Sequence, residues 1–427
     1  MHLVIVTAGS RGDVQPYLAL AVAARDAGHR VTLATHAGFR DWIEGYGVGF
    51  RPLHGDPRAV LRGPGARAWT ADGSWTGALR MAGQLRREFG ALLGGILDDL
   101  VEVTRDADIV CWSAVCQPAA QLHEYRGVPV IGGLLQPLTP TGDFAAVGLS
   151  WRTGETPAAR RANRRSHLVG EQLIWQPARP LVNRWRRDRL GLPPLPLLGP
   201  YARQRSDRYP LLYAVGQAVL PKPSDWPDWV HVTGWWTLDP DPAWRPSPAL
   251  ARFLEAGPPP LCVCFGSMTP ADGARLGAFV REAAEQAEAR LLVVQGWGEL
   301  MTDAPLPAHV HVERDVPHAW LFPRCAAVLH HGGSGTTGAA ARAGVPTIIA
   351  PLGFDQRFWA TRMEALGTSA ATLPRRTLAV APLAGAIRRA LGDPVLRETA
   401  AALGVALRAE PGTTDALARI EAHAARG

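Results

Sequence analysis

Several things are scarce in this chain of 427 residues, and each absence excludes a class of protein. No run of about 18 apolar residues occurs, so no membrane-spanning helix is expected. Cysteine is rare: five residues, an odd number, with no zinc-like clustering. Cys262 and Cys264 alternate along an apolar stretch and Cys111 and Cys116 flank another, as buried free thiols of a reducing compartment do. The opening MHLVIVTAGSRGD has no basic n-region before its apolar run, so it is not expected to be a signal peptide, and a cytoplasmic location is expected. The G-x-G-x-x-G turn of dinucleotide binders is missing, which argues against an NAD(P)-dependent oxidoreductase. Internal repeats and low-complexity segments are also absent.

What is present is an ordinary globular composition, 47% hydrophobic and 19% charged, in a chain long enough for two domains. The net charge of +7 comes mainly from arginine and is concentrated in residues 160–189. That segment reads as a solvated helix face or, because it carries tryptophan, as a surface for peripheral membrane contact. Nucleic acid is not an expected partner, because no recognised motif or interleaved stacking platform accompanies the arginines.

Short apolar runs alternate with helical stretches. HLVIVTA, RVTLATH, ADIVCWS and VPVIGGLL in the first half are followed by LCVCFGS, RLLVVQG, HVHVER, AAVLHH and PTIIAP in the second. This alternation predicts two α/β domains, each a parallel sheet covered on both faces by helices. Their expected limits are 1–215 and 216–410. The proline-rich stretch 221–248 reads as the linker, because so many prolines forbid a long helix. Residues 411–427 form a last helix able to pack on either domain, with the first domain as one option.

Ligands of parallel sheets sit beyond the carboxyl ends of the strands. Three loops there have the chemistry of an anion site. After His331 come Gly332, Gly333, Ser334, Gly335 and Thr336 at a helix start, where free amides and the helix dipole favour negative charge. CFGSMTP places Gly266 and Ser267 at another strand end, and TAGSRGDVQP places Asp13 at the exit of a third loop. Asp13 also suits a capping role, a common use of aspartate.

Taken together, these motifs resemble the two-domain GT-B glycosyltransferases of the UDP-glycosyltransferase family, in the bacterial natural-product and sterol glucosyltransferase branch. Residues 316–360, VPHAWLFPRCAAVLHHGGSGTTGAAARAGVPTIIAPLGFDQRFWA, resemble the family's C-terminal signature. GSRGDVQPYLALA, residues 9–21, resembles its N-terminal signature, and SDWPDWVHVTGWW, residues 224–236, resembles the sterol-type linker. The resemblance implies two Rossmann-like αβα domains facing across a cleft. It implies that His331, Gly333, Ser334, Gly335, Thr336 and Ser267 hold the donor's diphosphate. By the same resemblance Asp355 and Gln356 bind the sugar, Val316 (through its backbone) and His318 bind base and ribose, and Asp13 is the catalytic base. Asp315 stands where plant members carry a stacking tryptophan and Ala339 where a ribose-binding glutamate often stands, so UDP and dTDP both remain open.

The implied reaction is metal-independent, inverting transfer from a UDP- or dTDP-sugar, used as co-substrate with no other cofactor, to a hydroxyl of a bulky, partly apolar acceptor such as a macrolide, polyketide, sterol or flavonoid. Asp239-Pro240-Asp241 has the letters of a metal-binding DxD motif, but prolines and aspartates are common in turns, and no metal is expected. A nucleotide-sugar hydrolase or epimerase needing no acceptor is the alternative. Monomer and homodimer are both compatible with the sequence.

Overall fold

The computed structural model describes residues 1–56, 90–149, 156–266, 273–296, 300–301, 306–353, 355–374 and 378–426. The chain divides into two compact units. The first comprises Met1–Val215, Leu220–Thr237 and Pro411–Gly427; the second comprises Gly216–Val219 and Leu238–Glu410.

The first unit is built on a seven-stranded sheet: β1 (His2–Val6), β2 (Arg30–His36), β3 (Gly49–Leu53), β4 (Ile109–Trp112), β5 (Val130–Leu134), β6 (Leu211–Tyr213) and β7 (Val230–Val232). Their spatial order is 3-2-1-4-5-6-7, and every pairing is parallel. The first six strands follow the doubly wound order that puts a switch point beside β1. Helix α1 (Arg11–Asp26) leaves β1 through the GSRGD loop and buries Val14, Tyr17, Leu18, Ala21 and Ala24. The Tyr17 hydroxyl donates to the Gly133 carbonyl on β5 at 2.6 Å, tying the helix across the sheet. Helix α2 (Pro157–Leu190) spans 34 residues.

The second unit has a six-stranded parallel sheet: β8 (Leu261–Cys264), β9 (Leu291–Val294), β10 (Val310–Glu313), β11 (Ala327–His330), β12 (Thr347–Ile349) and β13 (Ser369–Thr372), in the order 10-9-8-11-12-13. Alternate side chains enter two separate cores, as a period of two requires. Leu261, Val263, Leu291, Val293, Ala327 and Leu329 join one core. Cys262, Cys264, Leu292, Val294 and Val328 join the other. Both faces are apolar because helices cover both, which is why these strands read as continuous apolar runs. All five cysteines are buried and unbridged. Helices α3 (Ser334–Ala343) and α4 (Gln356–Ala365) follow β11 and β12.

The boundary between the units differs from the sequence reading. The first sheet does not end with β6. Val230–Val232, within the proline-rich stretch, adds β7 in parallel to β6, and residues 220–237 join the first unit. Proline forbids a ladder donor in a central strand, but a three-residue strand at a sheet edge, whose prolines lie outside it, is allowed. The last helix, α5 (Thr413–Ala424), belongs to the first unit. There the Glu421 carboxylate meets the His29 ring at 2.7 Å, and the His423 ring meets the Val130 carbonyl at 3.1 Å.

Candidate functional site

In the first unit the loop between β1 and α1 folds onto itself. Gly9 has a φ of +137°, a region open to glycine, and a side chain there would strike the Asp13 carboxylate. Asp13 stands in the first turn of α1, and its Oδ2 accepts from the Ser10 amide at 2.8 Å and the Ser10 hydroxyl at 3.0 Å. The Thr7 hydroxyl donates to the Asp13 carbonyl at 2.8 Å. This is a capping box: the carboxylate satisfies a donor that the helix start leaves open.

Sequence reasoning gave no role to His36 at the end of β2. Its Nε2 accepts the Gly9 amide at 3.1 Å, so it braces the loop from the neighbouring strand. Burial lowers its pKa, which favours the neutral ring that this acceptor role needs. Position carried the only available signal, since a histidine at the carboxyl end of a strand beside β1 faces the same loop.

In the second unit β11 runs into His330 and His331, and α3 begins at Ser334 with Gly333 as its N-cap residue. No side chain caps this helix. The first helical amide with a backbone acceptor is that of Thr337, which donates to the Gly333 carbonyl at 2.9 Å. The amides of Ser334, Gly335 and Thr336 therefore occupy the orphan positions of a helix start, where the dipole favours an anion.

The glycines here follow from close approach. A Cβ on Gly333 would lie 2.5 Å from the His331 Nε2. Gly332 has a φ of +90°, and a Cβ there would lie 2.8 Å from Ile349. At Gly335 a Cβ would meet nothing within 4 Å, so no close contact demands glycine there.

The two histidines divide the work. His330 is fully buried and its Nδ1 accepts the Gly332 amide at 3.0 Å, so it fixes the loop. His331 packs beside Gly333, and burial pushes its pKa down to about 4, opposed by the Cys264 carbonyl. At neutral pH it is an uncharged imidazole able to donate from one nitrogen. Its Nδ1 and the buried Thr337 hydroxyl make no hydrogen bond among the described residues.

After β12, Gln356 is buried at the start of α4, and its Oε1 accepts the amides of Leu352 and Gly353 at 2.7 and 3.3 Å. That fixes the loop and directs the side-chain NH2 as the donor. Asp355 is held by the Trp359 indole, which donates to Oδ2 at 2.9 Å. Val316 packs its side chain into the second core, and His318 stacks on Phe322 with ring centroids 4.4 Å apart. Trp320 meets Trp244 edge-on at 5.0 Å. Ser267, expected to hold the diphosphate, lies outside the described residues. Asp241 of the DxD letters accepts the Ala243 amide at 2.8 Å in a local turn. Among the described residues no group of three or more His, Cys, Asp or Glu side chains could hold a metal.

Within the second unit, β11, β12 and the starts of α3 and α4 thus bring together His331, Gly333 to Thr336, Asp355 and Gln356. Two parallel-sheet α/β units of this kind are the GT-B fold of glycosyltransferases. The crystal structure of glycosyltransferase VinC with dTDP matches over 100% of both chains with a TM-score of 0.67 at 21% identity. Residues 3–90 match the glycosyltransferase family 28 N-terminal domain, and residues 284–423 match the erythromycin biosynthesis protein CIII-like C-terminal domain. The sterol 3-beta-glucosyltransferase UGT80B1 of Arabidopsis thaliana is 33% identical over 99% of this chain and 68% of its own. The chain belongs to the glycosyltransferase family of these sterol 3-beta-glucosyltransferases. The enzyme of that name from Candida albicans is 33% identical over 98% of this chain. The chain spans only 27% of that relative's length.

Proposed function

We propose that this protein transfers a sugar, with inversion and without a metal, from a UDP- or dTDP-sugar to a hydroxyl of a bulky, partly apolar acceptor such as a sterol or polyketide. The observation that carries the reading is the uncapped start of α3, where three orphan amides and a glycine-lined backbone stand beside a neutral, buried His331. That is the environment of a diphosphate. The dTDP of VinC and the sterol acceptors named for the relatives are consistent with this choice.

In the reaction, Asp13 takes the proton of the acceptor hydroxyl as its oxygen attacks the anomeric carbon. The nucleoside diphosphate leaves as the glycosidic bond breaks. Charge developing on the leaving oxygen is met by the amides of Ser334 to Thr336, the dipole of α3 and an N–H of His331. Asp355 and the Gln356 amide bind sugar hydroxyls. Val316, through its backbone, and His318 bind the nucleoside. One displacement without an enzyme–sugar intermediate inverts the centre.

A thermal-shift panel of UDP-, dTDP- and GDP-sugars tests the donor, because a ligand that binds only the folded state raises the melting temperature. A shift with UDP- or dTDP-sugars and transfer that persists in EDTA support the reading. No shift with any of them, or turnover lost in EDTA and restored by magnesium, contradicts it.

A further inference from the structure

The arginine-rich helix α2 has an outward face that the reaction does not use. It carries nine arginines against two acidic residues, Glu171 and Asp188. Asp143, Asp225 and Glu124 pair with Arg160, Arg164 and Arg186, and Glu171 is taken up by Arg205 at 2.6 Å. Arg161 and Arg165 are exposed and have no ion-pair partner among the described residues.

Arg161, Arg165, Leu168 and Gln172 follow one another at spacings of four, three and four, so they form one stripe along the helix. The stripe is opposite the buried Asn163, Ser166 and His167. Beyond the arginines the surface turns apolar: Leu168 on the stripe and Val169 and Leu173 on its flank are 45–61% exposed. An open groove of about 540 Å³, with almost wholly apolar walls, runs from Leu168 to Pro177.

The neighbouring loop extends this surface. Trp175 and Gln176 donate to the Leu197 carbonyl at 2.9 and 2.8 Å, and Gln172 donates to the Leu198 carbonyl at 3.1 Å. With their backbone held against the helix, the side chains of Leu197 and Leu198 are left 61% and 64% exposed. Five large apolar side chains grouped at this exposure, Leu168, Val169, Leu173, Leu197 and Leu198, mark an interaction surface rather than scattered solvent-facing residues.

We propose that this face docks the protein on a bilayer containing anionic phospholipid. The leucines and Val169 enter the boundary between headgroups and acyl chains, and Arg161 and Arg165 meet lipid phosphates. Charge selects the occupant. A second copy of the same face would bring unpaired arginines against each other, whereas an anionic surface neutralises them. The inference stands on this surface alone and does not depend on the sugar-transfer reading.

Co-sedimentation with phosphatidylcholine vesicles, with and without phosphatidylglycerol, tests it. The wild-type chain should pellet with the mixed vesicles, not with pure phosphatidylcholine, and should be released near 1 M salt, where the screening length falls to about 3 Å. R161Q/R165Q should lower partitioning about tenfold or more, at roughly fivefold per arginine. L168S/L173S/L198S should lower it comparably. All these positions are exposed, and unchanged far-UV circular dichroism and melting temperature show that each variant folds. Absence of binding to mixed vesicles, equal binding to both kinds, or binding unchanged in both variants overturns the proposal. So does a dimer, seen by light scattering, that the leucine variant dissolves.

Discussion

The β1–α1 loop and the β11–α3 loop are built alike, each a parallel strand running through glycines and small hydroxyls into a helix, yet they treat the helix start in opposite ways. In the first, Asp13 supplies a carboxylate of its own, which takes the Ser10 amide, and His36 takes the Gly9 amide. In the second, no side chain caps the helix, and the amides of Ser334 to Thr336 remain at its positive end. A carboxylate of the chain's own in the first turn of α1 already meets the positive helix end and repels an external anion. An uncapped helix start has both donors and dipole to offer. The difference favours the proposed diphosphate site in the second unit and leaves the first with a fixed carboxylate, the proposed base.

That contrast can be broken most severely at Asp13. Asp13→Asn keeps an oxygen to accept from Ser10 but removes the base. The proposed role predicts a loss of about a hundredfold to ten-thousandfold in kcat, with the melting temperature nearly unchanged. If Asp13 is only a cap, D13N retains activity, and steady-state kinetics beside a melting curve separates the two.

His331→Ala should lower kcat by about a hundredfold to a thousandfold, the usual effect of removing one donor from a developing charge. The same residue has a pH signature. Its pKa of about 4 in the fold lies below the ordinary 6.5, so the unfolded chain takes up this proton first as pH falls. Stability from this group is therefore complete above pH 6.5 and is lost as pH drops toward 4. His231, also lowered to about 4 by burial and by nearby Arg419, acts in the same direction. Melting curves across this range should show that loss, and H331A should flatten it.

A smaller effect is expected one shell out. Trp359→Phe removes the indole donor to Asp355, and the donor KM should rise about tenfold, the scale of one hydrogen bond to a charged group, while kcat changes less. Smallest is Ser10→Ala, which removes one of two donors to Asp13 and should cost about 1 kcal/mol of stability with transfer nearly intact. A collapse of transfer in S10A would mean that carboxylate position, rather than basicity, limits the reaction.

Much of the architecture could be read from the sequence. Strands buried on both faces, such as LCVC and AVLH, are short unbroken apolar runs, and their alternation with helical stretches announces parallel sheets. The glycine cluster after His331 marks a loop with close backbone approach. Other features had no local signal. β7 is three residues long among prolines, and its pairing with β6 depends on tertiary position. The amphipathic pattern of α5 shows that it has a face to bury but not which unit receives it; His29 and Val130, distant in sequence, supply that. His36 is invisible for the same reason, since it meets Gly9 only once β1 and β2 pair. The paired histidines were conspicuous together, but the sequence alone could not separate His330, which braces the loop, from His331.

Titration calorimetry of the nucleotide-sugar donor against the wild type, D13N and Gly333→Val tests the central contrast most directly. Valine at 333 would place its Cβ 2.5 Å from His331 Nε2, in the crowded approach to α3. The account predicts that D13N binds the donor within about twofold of wild type, and that G333V loses about a hundredfold or more, the equivalent of roughly 2.7 kcal/mol. Donor affinity that collapses in D13N and survives in G333V would place the diphosphate at the other loop and contradict the account.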